Sequence, residues 1–179
     1  MDLDKAILGR RSIRKFSDKK VGEKEIRVII ESAGWAPSWA NTQVWEFVVV
    51  RDRSLIEAVT DIYSETNPAR SCSKTADAII VVCAKTGVSG FKNGKPRTKF
   101  MEWFMFDTGM AVQNLCLKAH SLGLGTVIVG SMNHDKCNEL LKLHDSYTSV
   151  CAIPIGYPAE EKSPTSRRNI DETIHYDKF

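Results

Sequence analysis

The sequence lacks most of the residue constellations that announce an enzyme's chemistry. Its 179 residues hold no G-x-S-x-G elbow, no H-E-x-x-H helix and no P-loop. The familiar serine hydrolases, zinc proteases and P-loop nucleotide enzymes are therefore poor first readings. Its five cysteines, Cys72, Cys83, Cys116, Cys137 and Cys151, form no C-x-x-C pair and have no histidine at ligand spacing. Neither a structural metal site nor a disulfide framework is expected, and a reducing cytoplasm fits best. The longest apolar runs, "AIIVVCA" and "TVIVG", are far too short to cross a membrane. A net charge of +3 is too weak a bias for a dedicated nucleic-acid binder. Met1 leads straight into "DLDKAILGRR", where a signal peptide is not expected. His120, His134, His144 and His175 fall near element ends or in loops and read as surface residues.

What is present is an ordinary globular composition, 42% hydrophobic and 26% charged, in a chain the size of one domain spanning 1–179. Periodicity predicts helices in "DLDKAILGR", capped by Asp2, in "GEKEIRVIIESAGWA" and in "RSLIEAVTDIYSE". A long, nearly all-round apolar helix is expected in "KFMEWFMFDTGMAVQNLCLKAHSLG", ended by Gly123, and a short one in "DKCNELLKL". "VWEFVVVR", "ADAIIVVCA", "LGTVIVG" and "SVCAIPIGYP" read as strands, the second buried on both faces because it does not alternate. "VSGFKNGKPRT" reads as a loop. The tail from Glu160 to Phe179 has little to bury by itself, as an arm lying on something else would. The glycines of "GLGTVIVG" precede a strand, whereas a dinucleotide fingerprint follows one, so a Rossmann unit is not expected.

Two stretches carry the chemical signal. Within the first twenty residues seven Lys/Arg oppose three Asp, and "LGRRSIRKFSDKKV" holds most of the excess. Such a run is either a solvated face or an anion site. In an extended segment Arg10, Ser12 and Arg14 share one side, setting two forked guanidiniums about a hydroxyl, a good donor set for a phosphate. In "APSWANTQVWEF", Pro37, Ser38, Asn41 and Gln43 lie beside Trp39 and Trp45. They read either as a polar turn before a strand or as a rim that hydrogen-bonds a flat, heteroatom-rich ring.

Taken in order, "RRSIRKF", "APSWANTQVWEF", "ADAIIVVCAKT", "FDTGMAVQNLCLKAHSLGLGT", "IPIGYP" and "SRRNIDETIHY" resemble the nitroreductase family of flavoproteins across essentially the whole chain. The resemblance implies an α+β fold with a central mixed sheet flanked by helices and a C-terminal arm exchanged in a homodimer. It implies one FMN per subunit at the dimer interface. It further implies a cytoplasmic enzyme that takes hydride from NADH or NADPH. A second small molecule (nitroaromatic, quinone, enone or flavin) is then reduced by a ping-pong mechanism, with no nucleic acid, membrane or metal involved. No catalytic side chain is expected, because FMN carries the redox chemistry and the protein supplies placement and charge.

By the same resemblance, Arg10, Arg11, Ser12 and Arg14 match the N-terminal FMN motif. Arg10 and Ser12 would meet the phosphate, and Arg14 the pyrimidine edge of the ring. Pro37, Ser38 and Trp39, with Asn41 nearby, match the segment given by the other subunit. Asn67 matches a flavin-facing asparagine, Gly130 a glycine whose backbone approaches the reactive nitrogen, and Arg167 or Arg168 the basic residue completing the phosphate site. Val44 stands where the family often has proline, and Val129 where several members carry an acid. The segment from Lys85 to Lys99 is short beside the insert covering the pocket in larger members, leaving Phe91 and Phe100 to border it. The same FMN frame also serves sensors or carriers with little turnover, and a basic interaction module without cofactor is the remaining alternative.

Overall fold

A computed structural model describes residues 1–179. Strand β2 (Ala78–Lys85) explains the arrangement. Its residues alternate between two cores: Ala78, Ile80 and Val82 face one, and Ile79, Val81 and Cys83 face the other. A strand apolar at every position needs cover on both sides, and it lies inside a sheet of order β1-β2-β6-β5. Here β1 is Trp45–Val50, β6 is Tyr147–Gly156 and β5 is Gly125–Thr126. The named strands pair antiparallel throughout. The mixed character expected of the sheet rests on one parallel bridge, Ser12 to Thr126.

One face is covered by α2 (Glu23–Gly34) and α5 (Phe104–Ser121). Ile26, Ile29 and Ala33 of α2 meet Ala111, Leu115 and Ala119 of α5 above Ile80, Ile153 and Ile155. The other face is covered by α3 (Arg53–Asp61), α4 (Arg70–Thr75) and α6 (His134–Leu140). Ile56, Val59, Cys72 and Cys137 pack there on Val81 and Ala152. Burying a side chain such as Ile29, Ile56 or Ile80 contributes about 1.5–3 kcal/mol.

Four elements differ from the sequence reading. The segment read as a loop contains a hairpin, β3 (Phe91–Lys92) and β4 (Lys95–Pro96). Asn93 and Gly94 both take positive φ at its turn, the geometry that Asn-Gly favours. The helix expected from Lys99 begins only at Phe104, because Met101 is left-handed (φ 57°) and breaks the run before it. "LGTVIVG" forms only the two-residue β5 and an isolated bridge from Val129 to Ala152. The short α4 has no apolar period of its own to reveal it.

Helix α1 (Leu3–Gly9) forms as expected, with the Asp2 carboxylate accepting the Asp4 N–H. Its apolar side nevertheless points outward: Ala6 is buried while Leu3, Ile7 and Leu8 are exposed. Trp35, Met105 and Phe106 are exposed too, and every residue from 161 to 179 lies open.

Candidate functional site

The basic stretch runs extended along the β5 edge. The Ile13 N–H donates to Thr126 O (2.9 Å), the Ser17 N–H to Tyr157 O (2.8 Å) and the Ala159 N–H to Lys15 O (3.0 Å). Two glycines allow the close approach. A Cβ on Gly125 would meet the Ile13 side chain at 2.7 Å, and one on Gly156 would meet the Phe16 ring at 2.9 Å. With Ile13 turned into the core, Arg10, Ser12 and Arg14 take the opposite side of the extended chain.

The charges of this stretch divide into two groups. Lys15 pairs with Glu160 (3.1 Å), Lys20 with Asp77 (3.0 Å), and the Lys19 ammonium sits 3.6 Å over the Tyr157 ring. Arg10, Arg11 and Arg14 form no ion pair, and Arg11 donates only to Arg10 O (2.7 Å). Arg11 Nε is buried without a partner. A solvated face would explain exposed lysines. Arg10 and Arg11, half-buried beside Ser12, and the exposed Arg14 all lack a carboxylate and form instead a donor set that calls for an anion.

Asn67 and Gly130, distant in sequence, meet at one turn. The Asn67 amide donates to Ser131 O (3.4 Å) and its carbonyl accepts the Ala69 N–H (2.9 Å). The Ser64 N–H donates to the same Ser131 O (3.0 Å). A Cβ built on Gly130 would touch nothing within 4 Å, so its backbone is open to a flat group. Burial leaves the Cys72 thiol raised, and the nearby Arg14 charge draws it partly back down. At the other end, Arg10 and Arg11 act on His120 at the foot of α5. Burial first, and then the two guanidiniums, hold that imidazole below its usual range. A 370 Å³ cavity there is lined by Gly9, Arg10, Arg11, His120, Thr126 and Glu160 among others, and reaches neither Arg14 nor Gly130. His120 and His134 are thus half-buried rather than surface residues, His134 Nδ1 lying 2.9 Å from Ser149 O.

Pro37, Ser38 and Trp39 lie elsewhere. Ala40, Asn41 and Gln43 all adopt positive φ, a turn strained for residues other than glycine. The Ser38 hydroxyl accepts the Gln43 N–H (2.9 Å), and the Gln43 amide donates to the Asn41 side chain (3.1 Å). The turn is fixed by Asp107, a carboxylate only 1% exposed, which accepts the Trp39 N–H (3.0 Å) and the Ser89 hydroxyl (2.6 Å). Asp107 was not singled out from the sequence. Its signal there is a lone acid inside the apolar run "FMFDTGMAV". Asp107 stands near the start of α5 and His120 near its end, and thirteen helical residues span about 20 Å. One chain therefore holds its Trp39 turn and its arginine strip at opposite ends of one helix.

Arg167 and Arg168 are not brought to the strip. Arg167 donates to Thr165 (2.6 Å) and Arg168 lies 3.4 Å from Glu172, all within the open tail. Phe91 lines a cleft with Trp39, while Phe100 is exposed. All five cysteines are buried. Burial pushes the Cys83 and Cys151 thiols up to about 12, which removes them as nucleophiles near neutral pH.

Residues 7–157 match the model of the nitroreductase family. A Methanothermobacter thermautotrophicus protein, provisionally named an NADH dehydrogenase/NAD(P)H nitroreductase, is 33% identical, covering 100% of this chain and 88% of that one. The FMN reductase [NAD(P)H] of Bacillus subtilis is 26% identical over 98% of this chain and 73% of its own. Among solved structures, an FMN-dependent nitroreductase from Clostridium difficile superposes with a TM-score of 0.82 at 26% identity, covering 99% of this chain and 100% of that one.

Proposed function

The chain belongs to the nitroreductase family, and from that premise we propose that residues 1–179 form one unit of an FMN-dependent oxidoreductase. It takes hydride from NADH or NADPH and then reduces a second small molecule, such as a nitroaromatic, quinone, enone or flavin, in a ping-pong cycle. The observation that carries this reading is the strip of Arg10, Ser12 and Arg14, which has no acid paired to it, in a chain whose Gly130 backbone is open to a flat group. Relatives named FMN reductase and FMN-dependent nitroreductase support the same cofactor.

These residues fit FMN. Arg10 and the Ser12 hydroxyl, which makes no hydrogen bond within the chain, would hold the phosphate, aided by Arg11. Arg14 would set a fixed positive charge near the ring and stabilise the negative charge that develops on its reduction. Asn67 and the bare Gly130 backbone would border the ring. Bound FMN supplies hydride acceptance and donation, so no side-chain nucleophile or acid–base pair is needed. Pro37, Ser38 and Trp39, with Asn41, exclude water from the far side of a ring held by a second copy of the chain. Two features support that sharing: the span along α5, and the outward apolar residues Leu3, Ile7, Leu8, Trp35, Met105 and Phe106. The open tail, bearing Ile170, Ile174, Tyr176 and Phe179, then lies on the partner as an exchanged arm and carries Arg167 or Arg168 to a phosphate.

Anaerobic reduction tests the assignment. The purified protein should be yellow, bleach on addition of NADH or NADPH, and recover its colour on addition of a quinone. A colourless protein that takes up no added FMN contradicts it.

A further inference from the structure

We propose that the cleft between Trp39 and Phe91 is an acceptor subsite that selects planar aromatic molecules bearing an anionic group, a carboxylate or a sulfonate. The proposal rests on the oxidoreductase reading and deepens it. The cleft measures about 690 Å³ and is lined by Trp39, Ala40, Phe91, Lys92 and Arg97. Two aromatic side chains give it flat apolar surface, two cations give it charge, and no acid lines it.

The cations are unmatched. The hairpin segment carries Lys92, Lys95, Arg97 and Lys99, and none of them forms an ion pair. Other basic groups of the chain do have acids beside them: Arg51 and Lys20 share Asp77, and Arg70 and Lys74 share Asp61. The Lys92 and Arg97 side chains also make no hydrogen bond within the chain, so their donors remain free for a ligand. A guanidinium and an ammonium at the rim of an aromatic slot suit a flat ring with a charged substituent.

The walls are held rather than loose. Asp107 accepts from Trp39 on one wall and from Ser89, at the root of the hairpin, on the other. Trp103 packs on Trp39 with ring centroids 5.1 Å apart, and its indole N–H donates to the Thr98 hydroxyl (2.7 Å). The Arg97 N–H donates to Gly90 O (2.8 Å), closing the base of the hairpin. The cleft also shares Trp39 with the turn proposed to cover the ring held by a second copy, so an acceptor seated there would lie beside that ring.

The test compares 4-nitrobenzoate with 4-nitrobenzamide, nearly isosteric and differing in charge. Both kcat/KM with NADH and the calorimetric Kd for the purified protein are measured. The wild type should favour the benzoate by about 5- to 10-fold at low ionic strength, the scale of two partly exposed charge contacts. The preference should shrink toward parity at about 0.5 M salt, where the screening length falls to a few ångströms. In the Lys92→Gln/Arg97→Gln variant the ratio should fall to about one in both readouts, while Lys95→Gln, outside the cleft, should keep it. A wild-type ratio near one, or a preference that survives in the double variant, overturns the proposal. So does a double variant altered only in its discrimination of NADPH from NADH, because the cations would then read the donor's phosphate. The Kd comparison stands even if NADH fails to bleach the protein, so failure of the redox reading is separable from failure of the subsite.

Discussion

Arg10 and Arg14 hold their charges beside Ser12 with no acid to answer them, whereas Lys15 and Lys20, a few residues on, are paired. This division is the residue-scale basis for an anion site. Charged hydrogen bonds of this kind contribute roughly 1.5–3 kcal/mol each. Arg10→Ala should therefore weaken FMN binding roughly 10- to 100-fold, read by fluorescence titration of the apoprotein. Unchanged affinity with the fold intact would remove the phosphate role. The cysteines give a second prediction, with its sign fixed by burial. Cys83 and Cys151 titrate near 12 when folded but near the ordinary thiol value when unfolded. Between about pH 9 and pH 12 the unfolded chain thus binds fewer protons than the folded one, and stability falls as pH rises. Below that window the contribution is fully present. The slope of Tm against pH over this range should be shallower in Cys83→Ala than in the wild type, and NADH-driven turnover should stay within a few-fold. An unchanged slope contradicts the first expectation, and lost turnover with FMN retained contradicts the second.

Among the elements, the Pro37–Gln43 turn is the most exacting, with three non-glycine residues at positive φ held by Asp107. Removing that carboxylate strands the Trp39 N–H and the Ser89 hydroxyl. Asp107→Ala should cost roughly 2–4 kcal/mol, read from the urea midpoint, with Asp107→Asn recovering part because an amide still accepts one of the two bonds. Equal losses in both variants would contradict the rescue, showing that one retained hydrogen bond from an isosteric amide does not hold the turn. Elements with a strong period were legible in the sequence: α2, α3, β1, β2 and β6 fall where their apolar spacing put them. The hairpin is encoded locally by Asn93-Gly94 at its turn, and β5 is short because beyond Thr126 only Val129 pairs, as an isolated bridge. The meeting of Asn67 with Gly130, and the grip of Asp107 on Trp39, could not be read from the sequence. Both are contacts over more than sixty residues, set by how layers stack rather than by any local pattern. The strip itself was legible because an extended segment has a fixed period of two.

At the scale of the whole molecule, α5 separates the two halves of the proposed site by about 20 Å within a chain. The outward faces of α1 and α5 and the open tail leave apolar surface without cover. A two-fold dimer answers both facts, setting the strip of one subunit against the Trp39 turn of its partner. Complementation tests this directly. Arg10→Ala and Ser38→Trp, each nearly inactive as a homodimer, are unfolded together and refolded under two different affinity tags. Mixed dimers hold one site with both lesions and one with neither. Since roughly half of the dimers are mixed and one of their two sites is intact, activity should return to about a quarter of the wild-type value. Activity that stays at the parental level, although doubly tagged dimers are isolated, would place the whole site within one chain and contradict the account.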